Sequence, residues 1–169
     1  ITELGSRAFQ NCTALKTVSL PDTLTTIGTY AFQNCDALAE ITIPNSVTKL
    51  GDNAFESCEV LSNAVLSTGL TAIGQKSFYE CPALQSVQIP YRVTSIAGYA
   101  FANCTGMTDV TIPQSVTSIA STAFSYPNKL KIHGVSGSYA ETFANSNGFS
   151  FVSETRPATA VTLDKTELH

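Results

Sequence analysis

The sequence predicts an α/β solenoid, in which similar short units stack along one axis and share a continuous core. The first observation is a phenylalanine ladder with a constant step of 23 residues, at Phe9, Phe32, Phe55, Phe78, Phe101 and Phe124. A cysteine ladder has the same step, at Cys12, Cys35, Cys58, Cys81 and Cys104. Aliphatic residues repeat in further registers, for example at Leu4, Ile27, Leu50, Ile73, Ile96 and Ile119. Because one such unit cannot bury its apolar face alone, neighbouring units must stack like on like.

Each unit is predicted to contain three segments. The first alternates apolar and polar residues, as at 41–43, which is typical of a strand, and Pro44 ends it because proline cannot donate to a ladder. The equivalent segment of the first unit is expected at 18–20, before Pro21. A second short extended piece follows, as at 47–50. The third segment has apolar residues three apart, as at Phe9 and Cys12, which predicts a short helical turn.

A period of 23 lies within the range of about 20–29 residues that is typical of leucine-rich repeats. The sequence pattern of the units also resembles the BspA-type leucine-rich repeats, over residues 1 to about 130. The matching residues are Ile89 and Pro90, then Val93, Thr94, Ser95 and Ile96, then Ala100, Phe101, Ala102, Asn103 and Cys104. The resemblance implies a concave strand face, a C-terminal cap, a secreted or cell-surface location, and adhesion to host proteins, extracellular matrix or other cells.

We expect three regions along the chain. Leucine-rich repeats occupy residues 1–129 and a C-terminal cap occupies 130–154, with a helix opening at 137–142 and a last strand at 149–152. The helix should carry Ala140, Phe143 and Ala144 inward, since the last repeat otherwise exposes its core. Residues 155–169 resemble a linker and the truncated first strand of a bacterial immunoglobulin-like domain. Since residue 1 falls within a repeat, we expect the chain to be a piece of a longer protein.

Composition excludes some partners. The chain is 13% charged with a net charge of −4, whereas a nucleic-acid partner would need a basic face. No stretch approaches the roughly 18 apolar residues of a membrane span, so no membrane insertion is expected in this fragment.

The cysteines are predicted to be free and buried. Each stands alone in its repeat, whereas metal sites favour clustered pairs and a disulfide needs Cβ atoms about 3.8 Å apart. We expect each S–H to meet a loop carbonyl instead. Asn11 and Asn103 fit the N-glycosylation sequence, but the alternative is a turn asparagine that bonds to its own loop.

Catalytic residues, a metal site and a cofactor site are not predicted. The histidines are His133, near the cap, and His169, at the chain end. Neither has a nucleophile or a carboxylate at a spacing that suggests pairing, so we interpret both as surface or loop residues and predict a protein that is not an enzyme.

The candidate binding surface is the strand face, defined as the outward side of the first segments. Its residues are Thr17, Ser19, Glu40, Thr42, Asn63, Val65, Ser86, Gln88, Asp109 and Thr111. They form a polar and nearly uncharged platform. The alternative is that they are merely soluble residues with high strand propensity.

Two departures from the repeat mark the middle of this face. At 64–69 Ala64 thins the core, Val65 points outward and Ser67 replaces proline. At the next unit's turn stand Tyr91 and Arg92, which are residue types that dominate binding hot spots. Neutral drift in a turn is the alternative to a binding role.

Two functions fit these observations. The first is a non-catalytic interaction or adhesion module of a secreted or cell-surface bacterial protein, which binds a host or matrix protein or a glycan through the strand face. The second is a passive scaffold or spacer that presents another domain of the parent chain, such as a glycan-degrading one. The sequence does not name the ligand.

Overall fold

The predicted solenoid with 23-residue units and parallel strands is confirmed. A computed structural model describes residues 1–127 and 129–155. In chain order its strands are β1 Glu3–Leu4, β2 Thr26–Ile27, β3 Glu40–Thr42, β4 Lys49–Leu50, β5 Asn63–Val65, β6 Ala72–Ile73, β7 Ser86–Gln88, β8 Ser95–Ile96, β9 Asp109–Thr111, β10 Ser118–Ile119, β11 Lys131–Gly134 and β12 Ser150–Ser153. One helix, α1 Tyr139–Asn147, precedes β12.

The strands form two rows along the solenoid. The two-residue strands β1, β2, β4, β6, β8 and β10 form one row, and β3, β5, β7, β9, β11 and β12 form the row that carries the strand face. Pairing is parallel, and among the repeats the register equals one unit, as between Glu40 and Asn63. The middle residue of each three-residue strand is buried and its two neighbours face away from the core, as in β7, where Val87 is buried.

The strand predicted at 18–20 is wrong. Residues 17–20 have irregular backbone and do not pair with β3. Val18 and Leu20 are only half-buried, because within the described chain the first unit is covered on one side only. Burial of apolar surface therefore stabilises the packing of this segment on its neighbour less than it does in the later units.

The third segment of each unit differs from the expected helical turn. Its backbone closes i→i−3 hydrogen bonds, as from Cys12 N–H to the Phe9 carbonyl at 3.1 Å. However, two residues in each turn, such as Arg7 and Asn11, both with φ of 61°, are left-handed and interrupt any helix. Equivalent pairs are Tyr30 and Asn34, Asn53 and Ser57, Lys76 and Glu80, and Tyr99 and Asn103. We call these segments the turn segments.

The turn segments are tied to each other from unit to unit. Alternate N–H groups point along the solenoid axis and donate to the next unit, as from Phe32 to the Ala54 carbonyl at 2.7 Å and from Phe55 to the Ser77 carbonyl at 2.8 Å. A helix would satisfy these donors internally. Here the next unit must satisfy them, because a buried N–H without a partner is costly.

The phenylalanine ladder forms the centre of the core. Successive rings from Phe9 to Phe124 have centroids 5.1–5.4 Å apart and lie within 8° of parallel. From Phe32 onward these rings are buried. The last ring of the stack meets Phe143 of α1 at 6.1 Å and 60°, so the helix closes the end of the ladder.

The cysteines fill the space beside these rings, as predicted. All five are free, and each from Cys35 onward is buried. The thiol of Cys58 donates to the carbonyl of Phe32 at 3.2 Å, and Cys35, Cys81 and Cys104 repeat this contact one unit apart. Burial raises the pKa of the Cys35 and Cys104 thiols to about 12, which keeps these groups protonated and able to donate.

The helix predicted near residue 140 is present as α1, and it buries Ala140, Phe143 and Ala144 as expected. It ends at Gly148, whose φ of 75° is the left-handed conformation typical of a helix C-terminus. The chain then returns as β12, which pairs with β11. The expected immunoglobulin-like strand at 158–168 lies outside the described residues.

Replacing Phe55 by alanine should lower the free energy of unfolding by about 3–5 kcal/mol, as for other large core truncations. Its ring is buried between Phe32 and Phe78, at 5.1 and 5.2 Å, so the change leaves a cavity inside the ladder. Chemical denaturation measures the effect. Tyr91→Ala, an exposed aromatic, is the control and should change stability by less than about 0.5 kcal/mol. A loss for Phe55→Ala no larger than for the control would contradict the core described here.

Candidate binding surface on the strand face

The structure brings most of the predicted outward residues together on one side. Parallel pairing sets Glu40 beside Asn63 and Thr42 beside Val65, and in the next block it sets Ser86 beside Asp109 and Gln88 beside Thr111. Asp109 and Thr111 are half-buried, and the remaining predicted residues are exposed, namely Thr17, Ser19, Glu40, Thr42, Asn63, Val65, Ser86, Gln88, Tyr91 and Arg92. Thr17 and Ser19 stand beside the sheet rather than in it.

A large open depression occupies the middle and the C-terminal part of this face, and we call it the central depression. Its volume is about 910 Å³. Residues of β5, β7 and β9 form one side, including Val65, Gln88 and Thr111. The turns between the two strand rows form the other side, with one residue per unit at Asn45, Thr68, Tyr91 and Gln114.

The two exposed apolar residues that the sequence singled out both line the central depression. The side chain of Val65 is 47% exposed and that of Tyr91 is 63% exposed. Arg92 is outside the lining, and its guanidinium carbon lies 5.8 Å from the centroid of the Tyr91 ring. A smaller depression of about 280 Å³ lies between residues 17–20 and β3, at the N-terminal end of the face.

The strand row divides beneath the central depression. β3 pairs with β5, and β7 begins a separate sheet with β9, β11 and β12. The other row divides at the same step, between β4 and β6. The turn segments stay connected across it, through Phe55 N–H and the Ser77 carbonyl.

The departure at 64–69 gives a physical reason for this division. Ala64 stands where β3 carries Ile41 and β7 carries Val87, so β5 buries less side chain than either neighbour. Ser67, in place of proline, is fully buried. Its hydroxyl donates to the Val47 carbonyl at 2.5 Å and accepts from Gly69 N–H at 3.0 Å, two contacts that a proline side chain cannot make.

The interpretation of His133 as an unpaired residue is wrong. His133 Nε2 lies 2.7 Å from Asp109 Oδ1, and Nδ1 lies 3.7 Å from Glu154 Oε1. The 23-residue register does not reach it: one unit past Asp109 and Thr111 falls at 132 and 134, whereas β11 pairs Lys131 with Asp109 and His133 with Thr111, a step of 22. The constant 23-residue spacing therefore does not mark His133 as an outward residue of the strand face.

The contact with His133 affects the Asp109 carboxyl group. The hydrogen bond with His133 and, next, that from the Thr108 hydroxyl lower the pKa of the Asp109 carboxyl, so the carboxylate is ionised and accepts. Among residues 1–127 and 129–155, no group of three or more His, Cys, Asp and Glu side chains could hold a metal ion. Within the same residues, no serine, threonine or cysteine side chain is hydrogen-bonded to His133.

Polar side chains on the turn segments serve the stack instead. The Gln10 amide donates to Gln33 at 2.6 Å, and that of Gln33 donates to Glu56 at 2.9 Å. Asn34 donates to Asn11 at 2.7 Å. The expectation that turn asparagines bond to their own loop is therefore wrong for this pair, which connects neighbouring units.

Comparison with known proteins agrees with this architecture. The family described as "BspA type Leucine rich repeat region" matches with six copies over residues 2–131. The chain belongs to this family. A search of curated proteins found no match.

Solved structures similar to this BspA-type chain include two at 33% sequence identity. One is a leucine rich cell surface protein from Faecalibacterium prausnitzii, with a TM-score of 0.71, where the match covers 83% of this chain and 36% of that one. The other is a leucine-rich repeat protein from Bacteroides ovatus, with a TM-score of 0.75 and coverages of 82% and 38%. This chain thus spans well under half the length of either.

A third similar structure is the leucine rich repeat protein of T. pallidum, at 23% identity and a TM-score of 0.67, covering 92% of this chain and 81% of that one. It supports the fold alone. As for membranes, the described part of the chain contains no helix with the length and apolar content that a crossing requires.

Replacing His133 by glutamine should raise the pKa of Asp109, because the hydrogen bond with the imidazole is the largest of the interactions that lower it. A group whose folded pKa is depressed contributes stability above its unfolded pKa, and loses it as the pH falls through the folded value. The unfolding free energies of wild type and variant should therefore differ above about pH 4 and converge in stronger acid.

NMR titration of the Asp109 carboxyl measures this directly. Lys131→Gln is the control, since the charge of Lys131 is the smallest of the named causes and should move the pKa less. An Asp109 pKa that is unchanged in His133→Gln would contradict the hydrogen bond.

Proposed function

We propose that this chain is a non-catalytic interaction module of a secreted or cell-surface bacterial protein, and that it binds a protein or glycan of a host or neighbouring cell through the strand face. The observation that carries the proposal is that several unusual features lie at the same location in the solenoid. The central depression, the division of the sheet and the two sequence departures all fall on the same units. The surface-protein assignment is supported by the family and by the cell surface protein of Faecalibacterium prausnitzii.

Stacking explains why the core repeats faithfully, but it places no demand on outward residues. Val65 and Tyr91 are large exposed apolar groups, which cost free energy in water and favour contact with a partner. They lie at one depression rather than being scattered. Partner interfaces concentrate binding energy in such aromatic and apolar anchors.

The proposal that the module is non-catalytic is supported by the surroundings of His133. Its Nε2 lies 2.7 Å from Asp109 Oδ1, and within the described residues no serine, threonine or cysteine side chain is hydrogen-bonded to the ring. A general base that activates a nucleophile needs that nucleophile within hydrogen-bond reach. The scaffold alternative differs in one respect, since it leaves the strand face without a ligand.

An array of host matrix proteins and glycans, probed with this chain, tests the proposal. Val65→Glu, and Tyr91→Ala combined with Arg92→Ala, should each weaken binding about tenfold or more, because they remove hot-spot contacts. Val60→Glu is the matched control: Val60 is 45% exposed, close to the 47% of Val65, and it lies outside the depression. The Val60→Glu control should bind as the wild type does, and all variants should keep the wild-type melting temperature.

Two results would contradict the proposal. One is the absence of any bound protein or glycan, which would favour the scaffold function. The other is a ligand whose binding falls as much in Val60→Glu as in Val65→Glu, which would place the binding surface elsewhere.

A further inference from the structure

We propose that the central depression binds an uncharged, extended polysaccharide, laid across the strands and parallel to the solenoid axis. This inference rests on the proposed function and names the ligand class of the same site. Four features carry it: the period of the depression, its lack of charge, its free amides and one exposed ring.

The period of the depression suits a chain of sugar rings. The phenylalanine stack shows that one unit advances by 5.1–5.4 Å, and the turn side presents an equivalent residue in each of four units, at Asn45, Thr68, Tyr91 and Gln114. Each ring of an extended, β-linked pyranose chain has nearly this length, so successive rings meet successive units. An extended peptide repeats its side chains after about 6.6–6.8 Å and falls out of step within a few units.

The charge of the depression disfavours an anionic polymer. Among residues 1–127 and 129–155, Glu154 is the single carboxylate in its lining, and no lysine, arginine or histidine lines it. An acidic sugar, a sulfate or a phosphate would therefore meet no cation among these lining residues, and Glu154 would repel it. Hydroxyl groups without charge suffer neither penalty.

Three of the amides that line the depression are free, in contrast to those on the turn segments. The side chains of Asn63, Gln88 and Gln114 make no hydrogen bond with another described side chain or backbone group. The turn-segment amides, such as that of Gln33, are already hydrogen-bonded to side chains of neighbouring units. A primary amide offers donors and an acceptor together, which suits neighbouring sugar hydroxyls that both donate and accept.

Tyr91 supplies the apolar part of the recognition. Its ring stands out from the turn side and is 63% exposed, with Pro90 and Pro113 beside it in the lining. Sugar rings present C–H faces that pack on aromatic rings, and tyrosine gives a large contact area with few rotatable bonds. In the proposed complex the amides hydrogen-bond to the hydroxyl groups at the edge of a sugar ring, and the Tyr91 ring packs on its C–H face.

Isothermal titration calorimetry with defined oligosaccharides tests the inference. The probes are cellohexaose and chitohexaose, which are neutral and extended, and maltohexaose, which has the composition of cellohexaose but a curled chain. We expect at least one extended probe to bind, about tenfold or more tighter than its disaccharide and than maltohexaose. Polygalacturonate, an anionic polymer, should not bind.

Matched substitutions locate the site. Tyr91→Ala and Gln88→Ala should each weaken binding of the extended probe about tenfold, whereas Tyr126→Ala and Gln85→Ala should not. Tyr126 is 73% exposed and Gln85 is exposed, and neither lines the central depression. All four side chains are outside the core, so the melting temperatures should remain equal.

The inference is overturned if neither extended probe binds, if maltohexaose binds as tightly as cellohexaose, or if the control substitutions weaken binding as much as the site substitutions. Its failure is separable from that of the proposed function. A matrix protein that binds and is lost on Val65→Glu, with no binding of either glycan, would retain the interaction module and refute the glycan.

Discussion

The hydrogen bonds between turn segments are the constraint on which the rest of the structure depends. Two residues per unit are left-handed, as at Tyr30 and Asn34, and this turns alternate N–H groups out of the segment toward the next unit. Those donors fix the distance between units, so the phenylalanine rings stack at 5.1–5.4 Å. None of the left-handed residues in these pairs is glycine, so they bear a conformational cost. The inter-unit bonds and the buried ladder offset that cost.

Because the turn segments hold neighbouring units together, the strand face contributes less to the connection between units. The strand rows divide between β5 and β7 and between β4 and β6, yet the turn segments and the ring stack run through the division. Ala64 can therefore thin the core locally without parting the solenoid. The face above it gains a depression and two exposed apolar residues, Val65 and Tyr91. The stack and the proposed binding surface thus use different segments of the same unit.

The sequence predicts the stack well because periodic burial leaves a periodic trace, as with Phe55 and Cys58. It predicts the backbone of the turn segments poorly. A spacing of three is common to a helical turn and to consecutive i→i−3 turns, and left-handed residues such as Arg7 or Tyr30 carry no glycine or asparagine signal. The pair His133 and Asp109 was missed because it joins the last repeat to the cap, where the step between paired strands changes from 23 to 22 residues. In the sequence, Ala64 gives a partial indication that the sheet divides. The extent of the division depends on packing between units, which the sequence does not show.

Native-state hydrogen exchange tests the central claim, that the turn segments connect the units without interruption whereas the strand rows divide at one step. The amides of Phe32, Phe55 and Phe78, which donate to the Ala54, Ser77 and Ala100 carbonyls, should be among the slowest to exchange. At the division, the amides of β5 and β7 that face each other should exchange far faster than those between β7 and β9. Uniform protection along the strand row, with faster exchange in the turn segments, would contradict the account.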